Sequence, residues 1–294
     1  MEKFENLFLP PQNFAGLTSP YSDFSTARVA ILPVPYDSTT EWRSGTRHAP
    51  QAIIDASQYL ELYDIELNQE IYKIGIHTLR SLQPSFDSPR IMIERVRNVA
   101  RELLKQGKFP VMLGGEHSLS LGMVQALKQK VNDFCVLQLD AHADLRDKYL
   151  DTKYSHACVM RRIHEICPVV QVGVRSLSQE EKLFLTKNKM TPFCIKTSSA
   201  DLPPAEDIVK TLSDNVYVSI DLDVFDPSVV ASVGTPEPAG MDWHEVLHLL
   251  KCVSSNKRIL GFDLVELCPG ADDHAAVYLA AKLAYKLIGY ATLP

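Results

Sequence analysis

Three ligand-type side chains recur at every second position in Asp140-Ala-His142-Ala-Asp144, directly after the apolar run Leu137-Gln-Leu139. In extended backbone successive side chains point to opposite faces, so residues 140, 142 and 144 can converge on one side. Asp221-Leu-Asp223 repeats the spacing after Val218-Ser-Ile220, and Asp226-Pro227 then forces a turn. His117 follows Gly114-Gly115-Glu116, a turn permissive enough to let a side chain approach a crowded site. A lone aspartate at a strand end is usually a cap or turn residue. Two alternating clusters and a histidine point instead to a metal cage, with Glu116 beside it rather than in it.

The candidate ligands are His117, Asp140, His142, Asp144, Asp221 and Asp223. Two imidazoles and four carboxylates are too many for one tetrahedral zinc and too oxygen-rich for a thiolate metal. They suit two Mn2+ ions, ahead of Ni2+, Co2+, Fe2+ or Zn2+. A bridging carboxylate would hold the pair roughly 3.5 Å apart, the separation of two-metal hydrolytic sites. Four aspartates and one hydroxide against two divalent ions leave about one negative charge. A small cationic substrate fits that pocket better than a phosphate.

The elements that must position these residues alternate regularly. Strands are expected at 28–34, 71–75, 109–113, 133–139, 168–174, 192–195, 215–221 and 258–264. Helices are expected from Pro50 and at 89–105, 118–130, 157–166, 178–188, 204–213, 242–254 and 273–289. In the second helix Ile93, Val96, Val99, Ala100, Leu103 and Leu104 recur at helical spacing, with Ser88 as cap and Gly107 closing the end. Strands alternating with helices imply parallel crossovers and a sheet covered on both faces. The fold class is therefore α/β, a three-layer α/β/α sandwich on an eight-stranded, mostly parallel sheet. Parallel sheets of this kind place ligands at the C-terminal ends of their strands, where all three motifs lie. Residues 1–27 read as an irregular N-terminal arm, and no linker divides the 294 residues into more than one domain.

Composition narrows the class further. A hydrophobic content of 46%, a charged content of 22% and a net charge of -6 describe a soluble chain that does not seek nucleic acid or an anionic membrane. No apolar run approaches the roughly 18 residues of a membrane span, and Met1-Glu-Lys-Phe is not the start of a signal peptide. The six cysteines form no C-x-x-C pair and read as reduced core thiols, so a cytoplasmic location is expected. A competing pattern is His244-Glu245-Val-Leu-His248, the literal zinc-protease motif, with Glu266 as a conceivable third ligand. It is set aside because its helix must bury Trp243, Val246, Leu247, Leu250 and Val253, and because Glu266 follows a strand.

Taken together, Gly114-Gly-Glu-His-Ser118, Asp140-Ala-His-Ala-Asp144 and Ser219-Ile-Asp-Leu-Asp-Val-Phe-Asp-Pro227 resemble the ureohydrolase family, the arginase and agmatinase group, from about residue 28 onward. Gly45-Thr-Arg-His-Ala-Pro50 and Gly234-Thr-Pro-Glu-Pro238 add to the likeness. The resemblance implies an eight-stranded α/β/α fold, commonly assembled as a homotrimer or homohexamer. It makes His117 and Asp144 ligands of one manganese, His142 and Asp223 ligands of the other, and Asp140 and Asp221 bridges. A shared water of lowered pKa would attack the guanidinium carbon, with Asp144 accepting its hydrogen bond. Glu266 would grip the guanidinium, His156 would shuttle protons to the leaving amine, and Thr235 would join the substrate contacts.

Arginases place a Ser and Asn pattern after D-A-H-x-D, which Leu145-Arg-Asp-Lys-Tyr-Leu-Asp-Thr-Lys153 lacks. The resemblance is therefore to agmatinases, which release urea and a polyamine from agmatine. This chain has Val230-Ala231-Ser232-Val233 where agmatinases carry Ala-Pro-Gly-Thr, which changes the backbone options beside the pocket. That departure leaves room for a larger derivative such as N1-aminopropylagmatine.

Overall fold

The apolar runs that end in acid or histidine are strands of one sheet. The structure, a computed structural model, describes residues 9–194, 203–270 and 272–293. Ten strands occur among them: β1 (Val29–Pro33), β2 (Tyr63–Asp64), β3 (Gln69–Glu70), β4 (Ile76–Thr78), β5 (Phe109–Leu113), β6 (Cys135–Leu139), β7 (Val169–Val174), β8 (Phe193–Cys194), β9 (Asn215–Asp221) and β10 (Arg258–Val265). Eight of them form a sheet in the order β4-β1-β5-β10-β9-β6-β7-β8, with every pairing parallel. The helices are α1 (Ala49–Ser57), α2 (Pro89–Lys105), α3 (Ser120–Lys128), α4 (Val159–His164), α5 (Gln179–Lys187), α6 (Ala205–Lys210), α7 (Trp243–Asn256) and α8 (His274–Thr292).

Alternation along the central strands divides the core into two layers. Val111 and Leu113, Leu137 and Leu139, and Val218 and Ile220 pack with Ile53 of α1, Ile208 of α6, Val246 of α7 and Leu283 of α8. Their neighbours Met112, Val136 and Tyr217 pack with Val96 of α2, Val124 of α3, Ile163 of α4 and Leu185 of α5. Both faces of the sheet are thus buried, which is why its strands read as nearly continuous apolar runs. The expected three-layer α/β/α sandwich is the observed one.

Two local expectations need correction. The second strand was placed at 71–75, but Ile71–Ile74 is a 3-10 turn and the strand follows at Ile76–Thr78. Ile71 is fully buried as part of a helical turn, so its apolar character reports packing rather than extension. The chain then reverses through Gly75 at φ 80, where a Cβ would lie 2.6 Å from the Ala27 Cα. The other correction is an antiparallel hairpin, β2 with β3, where no strand was expected. Its short polar arms carry no period for a sequence reading to find. Residue 195, the last of the expected strand 192–195, and residues 1–8 of the N-terminal arm lie outside the described residues. The rest of the arm is tied down, with Phe14 fully buried and the Ala15 N–H donating to Ser57 Oγ at 2.8 Å.

Candidate metal centre

Strands β5, β10, β9 and β6 are neighbours, and their C-terminal ends bring together residues up to 149 positions apart in sequence. After β5 the chain bends through Gly114 and Gly115 so closely against its neighbour that a Cβ on Gly115 would lie 1.9 Å from the Tyr36 carbonyl oxygen. That bend delivers His117, which is fully buried. Its Nδ1 lies 3.1 Å from Asp140 Oδ2, 3.1 Å from Asp144 Oδ2 and 3.4 Å from Asp221 Oδ2. Behind the ring, Nε2 is 2.9 Å from Ser219 Oγ, and that hydroxyl donates to Asp263 Oδ1 at 2.7 Å. With its hydrogen committed to Asp263, Ser219 accepts from Nε2–H, so in the neutral ring the Nδ1 lone pair would face three carboxylates. Nδ1 makes no hydrogen bond of its own there. A lone pair and three carboxylate oxygens around one point is the donor set of a divalent cation.

The other half of the centre is built around the same Asp140. His142 Nδ1 lies 2.8 Å from Asp223 Oδ2 and 3.8 Å from Asp140 Oδ1. Ligand atoms of His117, Asp140 and Asp221 fall within 4.8 Å of one another, as do those of Asp140, His142 and Asp223. Asp140 therefore belongs to both groups. Backbone N–H groups fix the carboxylates: His142 N donates to Asp140 Oδ1 at 2.6 Å, Ala141 N to Asp223 Oδ1 at 2.9 Å, and Asp223 N to Asp221 Oδ1 at 2.9 Å. Gln138 Nε2 adds a bond to Asp140 Oδ2 at 2.6 Å. Asp144 sits at φ 52, in the left-handed region that costs a side-chain-bearing residue roughly 1–2 kcal/mol.

Electrostatics agree with the donor count. Burial, then the charges of Asp223 and Asp144, push Asp140 up to about 7, and burial with Asp223 and Asp140 pushes Asp221 well above the carboxylate range. Burial opposes charge on the imidazoles, yet Asp223 raises His142 to about 11, while Asp140, Asp144 and Asp221 hold His117 well above its usual value. Burial also opposes ionisation of Asp223, but His142 holds it down at about 2. So much packed negative charge favours cations, and bound metal would displace those protons.

A cleft of about 220 Å³ opens over this cluster, lined by Asp144, His156, Asp221, Asp223, Thr235 and Glu266 among others. Glu266 follows β10 directly and turns inward at φ 64. Its Oε1 accepts the His117 N–H at 2.6 Å, and burial drives its pKa well above normal. His156 opens a 3-10 turn (His156–Cys158), with Nδ1 3.2 Å from Thr39 Oγ1. Thr39 in turn bonds Glu116, whose fully buried carboxylate belongs to neither ligand group. The departing loop 230–233 is mostly buried: Ser232 O accepts from Cys268 N at 2.7 Å, and Val233 bridges to Leu267. It therefore props the segment that follows Glu266.

The structure brings all six candidate ligands together and sets Glu266, His156 and Thr235 in the same cleft. It leaves the zinc-protease pattern outside, since His244 and His248 are exposed on α7 and Glu245 closes a capping box with Asp242. Three contributors were not singled out from the sequence. Ser219 and Asp263 orient His117, and Thr39 contacts His156. Ser219 sits two residues before Asp221 on the same strand face, and Asp263 is a charge inside an apolar strand, so both left a readable mark.

Comparison with known proteins places this geometry. The model of the arginase family matches residues 27–289. An N(1)-aminopropylagmatine ureohydrolase of Synechocystis sp. is 37% identical over 278 residues, covering 92% of this chain and 90% of that protein. An agmatinase of Pyrococcus horikoshii is 35% identical over 277 residues, covering 92% of this chain and 94% of that protein. The crystal structure of the agmatine ureohydrolase of Thermoplasma volcanium superposes with a TM-score of 0.85 at 30% identity, over 99% of this chain and 97% of that one. The fold, the convergent strand ends and these likenesses lead to one conclusion: the chain belongs to the arginase family.

Proposed function

We propose that this chain is a two-metal amidinohydrolase acting on the guanidinium group of agmatine or a close derivative, releasing urea and a polyamine. The observation that carries the reading is the pair of ligand clusters sharing Asp140 at the floor of the cleft. His117 and Asp144 would hold one ion, His142 and Asp223 the other, and Asp140 and Asp221 would reach both. Nitrogen and carboxylate donors without thiolate suit Mn2+. The ions would supply a water acid enough to ionise near neutral pH and would offset the carboxylate charge.

The remaining chemistry belongs to the chain. Overall, R–NH–C(NH2)2+ and water become R–NH3+ and urea: a C–O bond forms, the C–N bond to the substituted nitrogen breaks, and both water hydrogens end on that nitrogen. Glu266 accepts hydrogen bonds from the guanidinium and holds its carbon over the cluster. Asp144 orients the attacking water, Thr235 contacts the substrate from the lining of the cleft, and His156 carries a proton to the leaving amine.

A substrate lengthened by an aminopropyl arm is the second reading, favoured by the name of the Synechocystis relative and its 37% identity. The same proposal takes the protein to be a cytoplasmic homo-oligomer, a trimer or hexamer, of one catalytic domain. In its support, no helix among the described residues is long and apolar enough to cross a membrane, and Tyr59, Ile65 and Tyr278 offer exposed apolar surface. The test is urea release by Mn2+-loaded protein from agmatine, N1-aminopropylagmatine, arginine, guanidinobutyrate and guanidine. One of the two amine-tailed compounds should lead by at least tenfold. Absence of urea from every compound would refute the proposal.

A further inference from the structure

We propose that Thr39 is the positioning residue that fixes the tautomer of His156, so that the Nε2 lone pair is the one offered to the cleft. This rests on the role given to His156 above. Three donors converge on the buried carboxylate of Glu116: Thr39 N at 2.6 Å to Oε2, Thr39 Oγ1 at 2.8 Å to Oε1, and Ser118 Oγ at 2.5 Å to the same oxygen. Burial pushes the Glu116 carboxyl up and the three donors oppose that push; oxygens that take three donors have no hydrogen of their own to return, so the one hydroxyl hydrogen of Thr39 is committed to Oε1. Thr39 Oγ1 is then left with lone pairs alone for its other two partners. One of these is the backbone N–H of His156 at 3.1 Å, and the other is His156 Nδ1 at 3.2 Å.

An oxygen with no hydrogen to give makes Nδ1 the protonated nitrogen. Nε2 is then the base. Thr39 is itself held on both sides of its side chain, with its own N–H and its hydroxyl on the two oxygens of one carboxylate. Tyr149 meets the imidazole edge-on, with ring centroids 6.1 Å apart. Glu116, in neither ligand group, thus reaches the chemistry by fixing the hydroxyl that fixes the ring. In the shuttle Nε2 takes a proton from the attacking water and yields it to the nitrogen whose bond to carbon breaks. The ring returns to its starting state with Nδ1 still on Thr39.

The test combines Thr39→Val, Thr39→Ser, His156→Ala and the double variant Thr39→Val/His156→Ala. Thr39→Ser keeps the hydroxyl and should stay within about threefold of the parent. Thr39→Val should lower kcat roughly 10- to 100-fold, with KM and metal content unchanged, and should cost nothing further on top of His156→Ala. A Thr39→Val protein as active as the parent, or one whose loss adds to that of His156→Ala, overturns the proposal. If His156→Ala alone leaves kcat intact, the role of His156 fails instead, and the two failures are told apart. In Zn2+-loaded protein with 15N-labelled histidine, His156 should show a protonated Nδ1 and an unprotonated Nε2. The reverse pattern would mean that Glu116 carries a proton and the chain of donors runs the other way.

Discussion

Burial raises the Glu266 pKa, and a bound guanidinium would offset that and hold the carboxylate charged, so Glu266→Gln removes this charge from the complex while keeping shape, and the structure sets how much should be lost. Oε1 is already engaged by the His117 N–H at 2.6 Å, which leaves Oε2 with full accepting capacity. A guanidinium held there makes one strong charge-assisted bond and a weaker one to the shared oxygen. Changing the acceptor to a neutral amide removes about 3–4 kcal/mol, since hydrogen bonds to charged groups contribute about 1.5–3 kcal/mol each. At about 1.4 kcal/mol per factor of ten, kcat/KM should fall roughly 10²- to 10³-fold. The amide oxygen can still accept from His117, so the loop should stay in place and metal content should stay at two ions per chain. The assay is urea release against substrate concentration, with metal analysis on the same preparation. Near-parental kcat/KM at full metal occupancy would refute the assignment, and loss of metal would show that Glu266 is a ligand instead.

Asp140 belongs to both ligand groups and His142 to one, so Asp140→Asn should lower bound metal toward zero while His142→Ala loses about one ion per chain; His244→Ala, on exposed α7, should lose none. Elemental analysis after dialysis separates these outcomes, and equal losses for the first two would contradict the shared carboxylate. Away from the centre, Glu66 binds Lys251, Lys286 and Tyr290 at 2.8, 2.7 and 2.6 Å. Burial opposes its ionisation, but these partners hold it at about 2, below its usual 4.5. A carboxyl depressed on folding adds stability that is complete above pH 4.5 and lost as pH falls toward 2, because the unfolded chain takes up the proton first. Glu66→Gln should therefore flatten the stability profile across that window, as followed by urea denaturation at a series of pH values.

The candidate ligands were legible because acid and histidine cluster where the apolar runs end, but the strand period is not what places them. Asp140, His142 and Asp144 lie past the end of β6, with Asp144 at φ 52, and Asp223 lies in the 3-10 turn Leu222–Val224. The assignments of Glu266 and His156 rest mainly on family resemblance, and the geometry explains why. Glu266 faces the cleft through a left-handed φ of 64 immediately after β10, a local reversal that leaves no periodic trace. His156 is placed by the hydroxyl of Thr39, which lies 117 positions earlier in the chain. The strand expected at 71–75 failed for a related reason, since Ile71 is apolar for the sake of its packing and not because the backbone is extended. Gln69–Glu70 and its partner are too short and polar to announce themselves.

Strand β10 sits between β5 and β9 in the sheet although it is the last strand made. Every proposed ligand, from His117 to Asp223, leaves the ribosome before Arg258–Val265 does. Until that segment slots in, the halves of the sheet carrying His117 and Asp221 have no common neighbour to hold them in register. A nascent chain can thus own all six donors while the strand that lies between their two halves of the sheet is still unmade.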